Sequence, residues 1–213
     1  NELNKVDYRK YSGVIITHGS DTLSYTAAFA GLLFYHVPVP VVFVASNYPL
    51  LQPGSNGLAN FACGVDFIKE KPACGVFVIY QDDQGKNQVY LATRLQEADP
   101  YVDQFRDVTG QAFGRMEDGK FVRNEGTGQP SLEEINANTG RKRIWKVPEG
   151  FEKKILVIRP YPGLDYQMFD LSQKPAAVLH YLYHSGTACT EGDRYNMLLF
   201  AEKCRELSID FYT

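Results

Sequence analysis

GVIITHGSDTLSYTAAFAGLLFY, residues 13–35, reads as a strand, a turn and a helix in immediate succession. Gly13 to Thr17 is a short apolar run without alternation, the pattern of a strand buried on both faces of a parallel sheet. His18-Gly19-Ser20-Asp21-Thr22 is the turn. Leu23 to Tyr35 is apolar over most of its surface, as expected of a helix packed into a core. Tyr25, Phe29, Phe34 and Tyr35 are read as its packing residues. A second strand, a longer loop and a second helix follow. Val39 to Ala45 is a second buried strand, Ser46 to Gly57 is a loop rich in Pro, Gly, Ser and Asn, and a helix follows from about Leu58 to Ile68.

Gly75 to Tyr80 is a third strand, and Asp83-Gln84-Gly85-Lys86 turns the chain into a fourth, Gln88 to Thr93. Phe113 to Asn124 is a second hairpin with Asp118-Gly119 at its turn. Residues 125–151 are polar and aperiodic and read as a linker between residues 1–124 and 152–213. Beyond it lie strands at Lys154 to Ile158, Ala176 to Tyr183 and Ile209 to Tyr212, and an amphipathic helix at Asp193 to Leu207. Alternating strands and helices give an α/β fold: a mainly parallel, Rossmann-like sheet flanked by helices, then the start of a second, smaller α/β domain. Asn1 is not an initiator Met, and Thr213 directly follows a strand-like run, so the chain reads as an internal piece of a longer protein.

The composition is that of a globular protein, with 44% hydrophobic and 22% charged residues. A net charge of -3, with the basic residues dispersed, points away from nucleic acid. Arg141-Lys142-Arg143 is read as a solvated loop. No apolar run is long enough to span a bilayer, so no membrane partner is expected. Cys63, Cys74, Cys189 and Cys204 form no CxxC pair and no metal-ligand spacing with His, and read as thiols of a reducing compartment.

In open α/β sheets, ligands bind beyond the carboxyl ends of the strands. His18 to Thr22 lies there, and so does Ser46-Asn47. If the two strands are neighbours, Ser20, Asp21 and a helix N-terminus share one crevice. The Asp21 carboxylate suits a substrate ammonium, and the backbone N–H groups of the helix start suit a carboxylate. Ser, Asp and Thr are also preferred helix caps, and a cap alone would account for residues 20–22. His18 is read as a hydrogen-bonded structural residue.

Thr17-His18-Gly19-Ser20-Asp21-Thr22 resembles the THGTDT signature of the bacterial-type L-asparaginase/glutaminase family. Val41 to Leu50 is similar to that family's next strand and its GAMRP turn, and Ser55 to Asn60 to its ADGPxN loop. Asp118-Gly119-Lys120 sits like the family's later hairpin, and Tyr161-Pro162-Gly163 like its YPG. Order and spacing agree across most of the chain.

The resemblance implies hydrolysis of the side-chain amide of L-asparagine, and less often L-glutamine, without metal or organic cofactor. It implies a Thr nucleophile in a GGTI stretch, which these 213 residues do not contain. It implies that Asp21 binds the substrate α-amino group, that Ser20 positions water or relays a proton, and that Ser46 offers its backbone carbonyl near the scissile amide. It also implies a cytoplasmic homodimer or homotetramer. A glutaminase subunit of a tRNA-dependent amidotransferase resembles the same family. The family's catalytic Lys corresponds to Glu97, in Arg94-Leu95-Gln96-Glu97. A carboxylate there reverses the local charge, and a non-catalytic amino-acid-binding protein on the same scaffold is the alternative. Glu97 is read as a surface residue facing water, and Arg94 as a salt-bridge residue. His184-Ser185-Gly186-Thr187 lacks the family's Asn-rich turn, and no ligand role is read there.

Overall fold

A computed structural model describes residues 2–126, 128–144 and 154–213. The chain divides into two compact units, Asn1–Lys146 and Val147–Thr213.

In the first unit, β1 (Val14–Thr17), β2 (Pro40–Val44) and β3 (Gly75–Gln81) pair in parallel. β4 (Asn87–Leu91), β5 (Gly114–Glu117) and β6 (Lys120–Arg123) extend the same sheet by antiparallel pairing, in the order β1-β2-β3-β4-β5-β6. Helices α1 (Leu23–Phe34) and α2 (Gly57–Glu70) cover opposite faces. Val41 and Phe43 join Leu23, Ala27, Leu33 and Phe34 of α1 in one core cluster. Val42 and Val44 join Phe67 of α2 in the other. Successive side chains of a strand point to opposite faces, so a strand buried on both must be apolar throughout. Every residue of β2 is buried, which is what its unalternating sequence requires.

The elements stop for local reasons. Lys71 ends α2 in the left-handed region (φ 51°), with its N–H donating to the Phe67 carbonyl, and Pro72 follows. Asp118 and Gly119 both have positive φ (48° and 73°), as a two-residue hairpin turn demands, and Glu117 pairs with Lys120 across it. β4 is shorter than expected because Ala92–Arg94 closes into a 3-10 turn. Short 3-10 turns at Glu2–Lys5 and Tyr8–Lys10 carry no clear signal in the sequence.

Two expectations need correction. Residues 125–151 read as linker, yet in their described part α3 (Leu132–Asn136) opens on a capping box between Ser131 and Glu134. Asn136 accepts a 2.8 Å hydrogen bond from the Cys74 N–H, which ties α3 to the start of β3. Second, Tyr25 and Phe29 are 59% and 41% exposed rather than packed, because the core takes the other side of α1. Phe34 is buried as expected, and Tyr35 is half-buried, donating from Oη to the Lys142 carbonyl at 3.2 Å.

In the second unit, β7 (Ile155–Ile158), β8 (Ala177–His180) and β9 (Asp210–Tyr212) form a parallel sheet with α4 (Met197–Glu206) packed on it. The α4 helix begins later than expected. Asn196 is the cap, its side-chain oxygen accepting from the N–H groups of Leu198 and Leu199. Four of the seven strand pairings among the described residues are parallel.

Candidate functional site

β1 and β2 are neighbours, so their carboxyl ends lie side by side. The His18 N–H donates to the Val44 carbonyl at 2.9 Å and fastens the turn after β1 to the end of β2. The His18 ring bonds the Gly19 carbonyl through Nδ1 (2.8 Å) and meets Phe43 edge-on at 6.1 Å. It is a structural residue, as read from the sequence.

The turn that follows is not used as a cap. Thr22, the N-cap residue of α1, makes no side-chain capping bond. No side-chain hydrogen bond or ion pair of Ser20 or Asp21 occurs among the described residues. Both instead line a cavity of about 400 Å³, together with Asn47, Tyr48, Glu97 and residues 98–103.

Ser46 is not brought to this cavity by its side chain. Its hydroxyl donates to the Tyr48 carbonyl at 2.5 Å and meets the Ser55 hydroxyl at 2.9 Å. Asn47 and Tyr48 form the wall on that side. Asn47 and Asn56 exchange bonds of 3.0 and 2.9 Å, each side-chain oxygen accepting the other's backbone N–H. A side chain at position 57 would meet Ser46 Oγ at 2.6 Å, so only glycine lets α2 begin this close to the loop. Beneath the loop, Asn60 is fully buried. It donates to the Ala45 carbonyl (2.9 Å) and accepts from the Gln81 N–H (2.7 Å), locking the ends of β2 and β3 together.

Glu97 is an exposed residue, as read from the sequence. It faces the cavity that holds Asp21, and its carboxylate accepts a hydrogen bond from the Tyr25 hydroxyl on α1. The exposed face of α1 thus reaches the cavity wall, which explains why Tyr25 is not core. Its place after Ser20-Asp21, one helical turn into α1, was the signal that could have found it. Arg94 does not form the expected salt bridge among the described residues. It donates to the Gly128 carbonyl at 2.7 Å and to Gln129 Oε1 at 3.4 Å.

The cavity is acidic. Asp21, Glu97, Asp99 and Asp103 line it, and among the described residues no Lys, Arg or His does. Asp99 is offset by Arg106 at 2.7 Å. Tyr80, 1% exposed, lies in the neighbourhood of Asp103, Asn56 and Tyr48. Burial, with Asp103 adding to it, pushes its phenol well above the usual range. No group of three or more His, Cys, Asp or Glu among the described residues is placed to hold a metal ion. In the second unit, Ser185 and Thr187 sit in an exposed turn, their hydroxyls 3.2 Å apart.

A family model described as the N-terminal domain of asparaginase matches residues 2–126. The chain belongs to the asparaginase family. An L-asparaginase of Thermococcus kodakarensis is 31% identical over 90 residues, 42% of this chain and 26% of that protein. A glutamyl-tRNA(Gln) amidotransferase subunit of Pyrococcus abyssi is 26% identical over 168 residues, 79% of this chain and 36% of that protein. The chain therefore spans about a quarter to a third of the length of these curated relatives. Among solved structures, the thermostable L-asparaginase from Thermococcus kodakarensis gives a TM-score of 0.72 at 21% identity, covering 93% of this chain and 56% of that one. A probable cytoplasmic L-asparaginase from Campylobacter jejuni gives 0.71 at 18% identity, covering 99% and 63%. These structures share the asparaginase fold with the chain. No helix among the described residues is long and apolar enough to cross a membrane.

Proposed function

We propose that the chain is part of an amidohydrolase that converts the side-chain amide of L-asparagine to the acid, releasing ammonia. One observation carries this reading: Ser20 and Asp21 leave the helix start uncapped and face a cavity at the ends of adjacent parallel strands. Asp21 binds the α-ammonium of the substrate. Ser20 orients water or passes a proton. Ser46 acts through its backbone carbonyl, and its hydroxyl holds the loop that presents Asn47. The nucleophilic Thr comes from outside these 213 residues. The protein works in the cytoplasm as a homodimer or homotetramer, without a cofactor.

Ammonia release from L-asparagine and L-glutamine by the full-length protein tests this. Release from asparagine that Asp21→Ala abolishes supports it. Failure to cleave either amide, combined with retained binding of L-aspartate, favours an amino-acid-binding protein on the same scaffold.

A second reading, the glutaminase subunit of a tRNA-dependent amidotransferase, is favoured by one finding. The match to the amidotransferase subunit runs over 79% of the chain, against 42% for the L-asparaginase. Glutamine hydrolysis that depends on a partner protein and tRNA would select it.

A further inference from the structure

The second unit carries a cavity of its own, of about 560 Å³, and the described residues that line it all belong to that unit. Four tyrosines converge on it: Tyr161 and Tyr166 from the connection between β7 and β8, Tyr183 and Tyr195 from the connection between β8 and α4. Hydrogen bonds set each in place. The Leu164 N–H donates to the Tyr161 carbonyl at 3.0 Å across a turn in which Gly163 takes φ 86°. The Tyr183 N–H donates to the Thr187 carbonyl at 2.9 Å. The loop bearing Tyr195 is closed by Asn196 Nδ2 on the Thr190 carbonyl (2.7 Å) and by the Met197 N–H on the Cys189 carbonyl (2.9 Å). The Tyr166 N–H donates to the Arg194 carbonyl at 2.8 Å and ties the two connections together. The Tyr166 ring is buried, stacks on Phe200 at 5.1 Å, and meets His180 Nε2 through its hydroxyl at 2.8 Å. The walls are thus built before any ligand arrives, as in most small-molecule sites.

The charge pattern says what the walls suit. The face of an aromatic ring carries partial negative charge, and a weakly hydrated cation gains by lying against it. Glu191 is the one charged residue among the described lining residues. An anion would meet it as a like charge, and a neutral guest would make no use of it. Burial pushes the Tyr166 phenol up to about 12 and holds the His180 imidazole below its ordinary range, so neither brings a charge of its own at neutral pH. We propose that this cavity is a second binding site, for a small organic cation of the alkylated ammonium class. Its methyl groups lie against Tyr161, Tyr166, Tyr183 and Tyr195, and Glu191 balances its charge. The inference is independent of the amide-hydrolase reading, since none of these residues lines the cavity that holds Asp21.

Choline and its uncharged isostere dimethylbutanol, in which carbon replaces the nitrogen, differ by one charge at nearly constant shape. Calorimetric titration of the full-length protein should show choline binding about tenfold more tightly, the scale of cation–π attraction in a partly desolvated site. Tyr161→Leu and Tyr195→Leu change rings that are 53% and 42% exposed, so the fold should hold. Each should weaken choline severalfold and leave dimethylbutanol nearly unchanged, whereas Tyr161→Phe, which keeps the ring face, should retain choline. Glu191→Gln and high salt should weaken choline alone. Asp21→Ala should leave choline affinity as it is. Equal affinities for the two probes, or binding of neither, in the folded wild type would overturn the proposal. Choline binding that survives both leucine variants, or that Asp21→Ala abolishes, would overturn it as well, because the cation would then be held elsewhere.

Discussion

Asn60 and Tyr80 hold the floor of the site by opposite means. Asn60 is a buried amide with both ends satisfied, by the Ala45 carbonyl and the Gln81 N–H. Asn60→Ala leaves both backbone groups buried and unmatched, and should destabilise the protein by about 2–4 kcal/mol in urea unfolding. The Tyr80 hydroxyl has no hydrogen-bond partner among the described residues, so Tyr80→Phe should be neutral to stabilising by about 1 kcal/mol at pH 7. It should also flatten the alkaline limb of the stability curve. Burial holds the native phenol protonated where the unfolded chain, with an ordinary tyrosine value near 10, gives up its proton. The contribution is therefore complete below about pH 10 and is lost as the pH rises beyond it. Tyr166, pushed up to about 12 chiefly by burial, adds a loss of the same sign between about pH 10 and 12. None of this was visible in the sequence. A tyrosine in an apolar strand reads as packing, and an asparagine on a helix reads as solvent-facing. Glu97 was visible as a departure from the family's Lys. Its orientation was not, because the 3-10 turn at Ala92–Arg94 and the Tyr25 bond that set it have no local signature.

At the scale of elements, the turn chemistry was the most legible. Asp118-Gly119 between two short runs specifies a hairpin, and both residues adopt the positive φ that such a turn needs. Gly119→Ala meets no close atoms, the nearest being Asp66 Oδ2 at 3.6 Å, so its cost lies in the backbone. A loss of about 1 kcal/mol in thermal or urea unfolding is expected, with the register of β5 and β6 retained. β2 was equally plain, since burial on both faces leaves it no room for a polar residue, whereas β1, read as buried on both faces, lies at the sheet edge with Val14, Ile15 and Ile16 half-buried and Thr17 exposed. The α1 helix was harder. Its residues are apolar nearly all round, so the sequence does not say which side meets the sheet. Only the fold separates Phe34, in the core, from Tyr25 and Phe29, outside it. The short α3 was missed because five residues carry too little periodicity. Its capping box, Ser131 with Glu134, was the available clue.

Across the whole molecule, strand–helix alternation was enough for the α/β class, and the two hairpins explain why the first sheet turns antiparallel after β3. The family was legible because its motifs mark strand ends, where the backbone has least freedom to vary. The chemistry was only partly legible, because it depends on which side chains converge. Ser20 and Asp21 meet the cavity, whereas the Ser46 hydroxyl turns into its own loop. The account stands on the Asp21 carboxylate holding the α-ammonium of an amino acid. The direct measurement is calorimetric titration of L-aspartate into the full-length protein and its Asp21→Ala variant, with circular dichroism confirming that both are folded. Loss of a charge-assisted hydrogen bond of about 1.5–3 kcal/mol should weaken binding by roughly ten- to a hundredfold or more. Unchanged affinity in the folded variant would contradict the account.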